Sequence, residues 1–134
     1  MAYRFEKRFN SFKKSLESLK AARDRDWTDD FVLSGTGAKF CITFELAWKT
    51  IKDVLIEYYG IDDFVTGSPK DTLRRAFKTG LIDDDSWLKM ATLRNEIAHD
   101  YDLDLVEESM QVITGEYVSL FEKLVEKING ICEK

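Results

Sequence analysis

Five apolar side chains near the start of the chain, Phe5, Phe9, Phe12, Leu16 and Leu19, recur at steps of four, three, four and three residues. That spacing places them on one stripe of an α-helix, whereas strand side chains alternate with a period of two. Lys7, Lys13, Lys14, Glu17 and Lys20 surround the stripe, so the segment reads as an amphipathic helix laid on a core and not as a cofactor box. The same period returns in two longer stretches. Phe40, Phe44, Ala47 with Trp48, Ile51, Leu55 and Tyr58 carry it through a segment from about Phe31 to Tyr59, and Met110, Ile113, Tyr117, Leu120, Leu124 and Ile128 carry it through the last. One proline and seven glycines leave little punctuation for a strand-and-turn architecture. The fold class expected is all-α.

Helix ends are marked by capping chemistry. Trp27-Thr28-Asp29-Asp30 offers a turn and a new N-cap, and Gly60 offers a C-cap. Gly35-Thr36-Gly37 interrupts the second segment early, as a kink or as its true start with Thr36 as cap. Ser68-Pro69-Lys70-Asp71 starts a short helix that buries Leu73, Ala76 and Phe77 and ends at Gly80, after which Leu81-Ile82 docks into the core. Asp83-Asp84-Asp85-Ser86 opens the next helix. Its acids complement the helix dipole, and without a histidine or glutamate at ligand spacing no metal site is read there. Trp87, Met90 or Ala91, Arg94, Ala98 and Tyr101 lie along one side of that helix, and Asp104-Leu105-Val106-Glu107 has the spacing of a capping box for the last. Near-parallel packing of these stripes gives an antiparallel up-and-down four-helix bundle with an extra short helix, a single domain over residues 1–134.

A net charge of −5 weighs against a protein that grips duplex DNA through its phosphates, while leaving room for a local cationic site. Hydrophobic residues at 44% and charged residues at 34% describe a globular and not a disordered chain. Cys41 and Cys132 stand far apart without metal-ligand spacing and read as reduced, buried thiols of a cytoplasmic protein. No leader sequence or membrane span is expected.

Chemistry concentrates in Leu93-Arg94-Asn95-Glu96-Ile97-Ala98-His99-Asp100-Tyr101, which holds the only histidine. An imidazole suited to moving protons near neutrality, a fixed cation, an amide and a phenol fall together. Residues five apart on an ideal helix are separated by about 140°, so Arg94 and His99 do not share a face. Asn95 and His99, four apart, do. Arginine and histidine meet if the helix frays near Asp100, or across the two-fold axis of a homodimer, which also supplies the second histidine that acid–base chemistry calls for. Such a site suits metal-independent RNA cleavage. His99 relays a proton, Arg94 stabilises charge on the phosphate and Asn95 orients either group. With no Gly-rich phosphate loop and no paired acids of polymerase type, the chain is not expected to transfer a nucleotide by itself or to need a cofactor.

Arg94-Asn95-Glu96-Ile97-Ala98-His99-Asp100-Tyr101 resembles the arginine–four residues–histidine–any–tyrosine signature of the HEPN superfamily. Phe44-Glu45-Leu46-Ala47-Trp48-Lys49-Thr50, Ser68-Pro69-Lys70, Ala76-Phe77-Lys78 and Gly80-Leu81-Ile82 resemble a narrower group, the nucleotidyltransferase substrate-binding proteins, from about Tyr3 to Tyr117. The resemblance implies a helical homodimer that binds a separate minimal nucleotidyltransferase subunit, as a heterotetramer, with nucleotide or RNA as further ligands. In related pairs the helical protein is a ribonuclease toxin neutralised by AMP transfer onto the signature tyrosine. It therefore implies Arg94 and His99 as catalytic, Tyr101 as the modification site, and Glu45, Trp48 and Lys49 as nucleotide- or partner-binding residues. Two functional readings follow, a binding subunit of a toxin–antitoxin-type pair and a HEPN endoribonuclease. A purely structural helical dimer is the third.

Overall fold

The computed structural model describes residues 3–63, 67–100 and 102–134. The order is α1 (Glu6–Lys20), a 3₁₀ turn (Ala21–Asp24), α2 (Asp30–Glu57), α3 (Pro69–Thr79), α4 (Ser86–Asp100), α5 (Leu103–Val112), a π-helical turn (Ile113–Tyr117) and α6 (Val118–Cys132). No strand occurs among the described residues, so the all-α expectation holds. Among them no helix is long and apolar enough to cross a membrane.

The first stripe is buried throughout, Phe5, Phe9, Phe12, Leu16 and Leu19 being at most 3% exposed. It packs on α2, the longest helix, which also contacts α3, α4 and α5. Phe121 knits the centre, with Phe12 edge-on at 5.7 Å and Trp87 edge-on at 5.6 Å, while Tyr117 stacks on Phe40 at 5.9 Å. Three buried threonines, Thr36, Thr43 and Thr50, sit seven residues apart on α2. Each returns its hydroxyl to the carbonyl four residues back, at 2.7 Å, so the core side of α2 accepts polar atoms without leaving them unpaired.

Several ends form as the capping pattern dictates. Asp29 accepts from Phe31 N at 2.8 Å to start α2, and Ser68 accepts from Asp71 N at 3.2 Å to start α3 with Pro69 behind it. Gly80 closes α3 at φ +83°, a left-handed conformation that glycine reaches without strain. Asp84 accepts from Ser86 N at 2.8 Å, which gives the Asp83–Asp85 run its capping role at the head of α4.

Other expectations are corrected. Thr36 caps nothing, because α2 runs unbroken from Asp30. Gly37 lies mid-helix, where a Cβ would come within 3.1 Å of Val106 Cγ2, so the glycine admits α5 to close approach. Phe77 is 46% exposed, since the arc of α3 that faces the core is filled by Leu73 and Ala76. Cys41 and Cys132, expected to be buried, are only half-buried. On α4 the buried line continues from Met90 and Ala91 to Ile97, and Ala98 faces outward. The last cap is Asp102, which accepts from the amides of Asp104 and Leu105, not Asp104 itself. The π turn inserts one extra residue in the last rod, and the side chain of Arg23 donates to the carbonyl of Thr114 at 2.8 Å.

Candidate functional site

Glu45, Trp48 and Lys49 stand at i, i+3 and i+4 on α2, hence on one side of the helix. One carboxylate organises them. Trp48 Nε1 donates to Glu45 Oε2 at 2.9 Å, and Lys49 Nζ lies 3.1 Å from Glu45 Oε1. The indole of Trp48 is buried, so the core-packing role and the polar contact belong to one side chain, its ring in the interior and its N–H at the rim.

Arg94 reaches the same carboxylate from α4. Its Nη2 lies 3.5 Å from Glu45 Oε2, and its guanidinium covers the Phe44 ring at 5.3 Å from the centroid. The backbone there is pinned by Cys41, whose Sγ sits 3.9 Å from the carbonyl oxygen of Arg94. Burial pushes the Cys41 thiol up, against the opposing charge of Arg94, so it stays a protonated packing group. Arg94 Nε is buried without a hydrogen-bond partner among the described residues. Burial raises the affinity of the Glu45 carboxyl for a proton, but the hydrogen bonds from Trp48 and Lys49, with the charges of Lys49 and Arg94, outweigh it and hold the group below its ordinary range. The result is an ionised carboxylate shared by two cations and an indole, and the cluster keeps one net positive charge.

His99 is placed apart from this cluster. It is exposed near the end of α4, and with Asn95, Glu96, Ala98 and Asp100 it lines a shallow open depression. Asn95 and His99 share a side, as their spacing requires. Arg94 and His99 do not meet within one chain, for α4 stays helical through Asp100 and Arg94 turns inward to α2. Fraying near Asp100, one of the two routes expected to unite them, does not occur. Tyr101, read as a modification site, lies outside the described residues. No group of three or more metal-ligating side chains gathers among the described residues.

Two of the stretches that carry the sequence resemblance, one on α2 and one on α4, thus meet at a single carboxylate. The whole of this arrangement falls inside residues 7–130, which match the family model for nucleotidyltransferase substrate binding protein like proteins. The chain belongs to that family. A comparison with curated proteins returns no match. In this nucleotidyltransferase substrate-binding family member the sequence exposes the Glu45–Lys49 pair through its i,i+4 spacing. It conceals the contact between Glu45 and Arg94, which spans two helices. Phe44 and Cys41, which seat Arg94 from ring and thiol, belong to the site as well. Phe44 shows in the sequence as part of the apolar stripe and of the Phe44–Thr50 stretch, whereas the signal for Cys41 is its place at i−4 from Glu45.

Proposed function

We propose that this family member is the nucleotide- or substrate-binding subunit that partners a separate minimal nucleotidyltransferase, in a pair of the toxin–antitoxin type. The observation that carries this reading is the convergence of Lys49 and Arg94 on Glu45. Two cations on one partly exposed carboxylate leave a net positive site on a chain of net charge −5. A nucleotide phosphate is the natural counter-anion, bridging the two cations or taking the place of Glu45. In this reading residues 1–134 form one cytoplasmic domain, an antiparallel four-helix bundle with an extra short helix. Two copies associate and bind the transferase as a heterotetramer.

A second reading is favoured by the exposed side of α4. Asn95 and His99 face outward together, where a second copy could supply the other histidine of an HEPN ribonuclease. Arg94 would then stabilise charge on the scissile phosphate after release from Glu45, and AMP on Tyr101 would silence the site.

Two assays on the purified chain separate these readings, both in chelator: equilibrium binding of ATP, and cleavage of a structured RNA by protein whose intact mass shows no adduct. The binding reading expects ATP affinity that falls roughly tenfold in Lys49→Ala, the loss of one charge-assisted phosphate contact. It also expects that affinity to be unchanged in His99→Ala, with no cleavage. Cleavage that disappears in His99→Ala would make the ribonuclease the primary description. Neither binding nor cleavage would leave only a structural helical dimer.

A further inference from the structure

The exposed Phe77 marks a second surface. Leu73, Phe77, Ile82, Trp87 and Leu88 line a groove of 330 Å³ between α3 and the head of α4, and its accessible floor is apolar. Along α3 beside it run Lys70, Arg74 and Lys78, one turn apart. On an ideal helix these three cations and Phe77 fall within an arc of about 100°. None of the three forms an ion pair with a described residue, whereas Arg75, on the neighbouring arc, is tied to Asp63 and Asp71. In a chain of net charge −5, Arg74 and Lys78 thus set a positive rim against an apolar groove.

We propose that this groove docks an amphipathic helix of a protein partner, with apolar side chains seated beside Phe77 and an acidic flank along Lys70, Arg74 and Lys78. An apolar groove between two helices takes the apolar stripe of an amphipathic helix, whose side chains recur at i, i+3 or i+4, and i+7, and charge complementarity sets the sign of its flank. The opposite wall decides against nucleic acid. Asp84 and Asp85 border the groove there and would repel a phosphate backbone, while an apolar floor gives it nothing to bind. The surface goes beyond the proposed function and does not depend on it. Trp87 and His99 are twelve residues apart on α4, about 18 Å along the axis, so the groove can be filled with the Glu45 cluster and His99 still accessible.

The test uses a fluorescent helical peptide of about 18 residues. It carries leucines at i, i+3, i+7 and i+10 and glutamates on one flank. A matched peptide has lysines in their place, and oligouridine serves as a nucleic-acid probe. Fluorescence anisotropy on the intact chain is expected to show the glutamate peptide binding at least about tenfold tighter than the lysine peptide, a gap that narrows in high salt. Phe77→Glu, at an exposed position, is expected to weaken binding roughly tenfold or more, with the circular dichroism of the chain unchanged. Arg74→Glu with Lys78→Glu is expected to erase the preference between peptides. Equal binding of the two peptides, indifference to Phe77→Glu, or displacement of the peptide by oligouridine would each overturn the proposal. So would a change in sedimentation mass on Phe77→Glu, which would give the groove to a second copy.

Discussion

Glu45 is the residue on which two helices agree, and its ionisation can be read out. Removing the carboxylate in Glu45→Ala strands the N–H of the buried Trp48 and leaves Lys49 and Arg94 facing one another. Urea denaturation is expected to show a loss of about 1 kcal/mol, the net contribution of a hydrogen bond whose donor lies at the rim of the core. Glu45→Gln keeps an acceptor for the indole and loses only the charge, so its deficit is smaller. The pH dependence has a definite sign. The folded-state carboxyl is held below its ordinary range, so its charge contributes stability above the unfolded-state value, and that contribution fades as the pH falls through the lowered folded value. The stability gap between the native chain and Glu45→Gln is therefore expected at neutral pH and should close in acid. A gap that stayed constant from neutral to acid pH would mean that the ion pairs with Lys49 and Arg94 contribute nothing.

At the scale of elements, α2 offers an internal comparison between two glycines two residues apart. A Cβ at Gly35 would meet nothing within 4 Å, whereas one at Gly37 would press on Val106. Alanine at Gly35 is expected to raise stability by roughly 0.5–1 kcal/mol through helix propensity alone. Valine at Gly37 is expected to lower it by about 1–3 kcal/mol, since α5 cannot yield without opening the core. Thermal denaturation of both variants checks the pair, and equal shifts would show that α5 is not seated on Gly37. The same contrast explains what could be read from sequence. Apolar periodicity marks where helices run, because burial of one face is a property of the helix itself: Phe5 to Leu19 and Met110 to Ile128 form the lines their spacing predicts. Gly37 reads as a break because its role depends on Val106, nearly seventy residues away. Phe77 reads as core because hydrophobicity alone does not tell a buried face from a docking face. In the site, the i,i+4 partners Glu45 and Lys49 are local and legible. Arg94 joins them only through the packing of α4 on α2, which no local pattern encodes.

At the scale of the molecule, the ribonuclease reading asks for a second histidine, which only a second copy of the chain can supply. His99, the one histidine of the chain, stands exposed beside Glu96 and Asp100, and α2 turns Phe31, Ala38 and Ile42 outward on one side. Phe31 is 86% exposed and Ile42 56%, with Leu103 at 36% at the start of α5. Steps of seven and four residues keep the three α2 side chains within an arc of about 40°. A two-fold axis near this face would bury them against their copies, and Ala38 would let the helices approach closely. A specific dimer buries on the order of 1,200–2,000 Å² in all, with an apolar centre, and these residues would supply that centre. Sedimentation equilibrium is therefore expected to give twice the 15.6 kDa chain mass. Ile42→Glu together with Phe31→Glu should return the single-chain mass, because two like charges would face each other across the axis. The control is Phe77→Glu, which lies on α3 and should leave the mass alone. If the native protein cleaves RNA, the monomeric variant should lose that activity while keeping the Glu45 cluster and any ATP affinity, since those belong to one chain. A native protein that sediments at the single-chain mass would sink the shared site, and with it the ribonuclease reading, leaving the binding reading that rests on the Lys49–Glu45–Arg94 cluster.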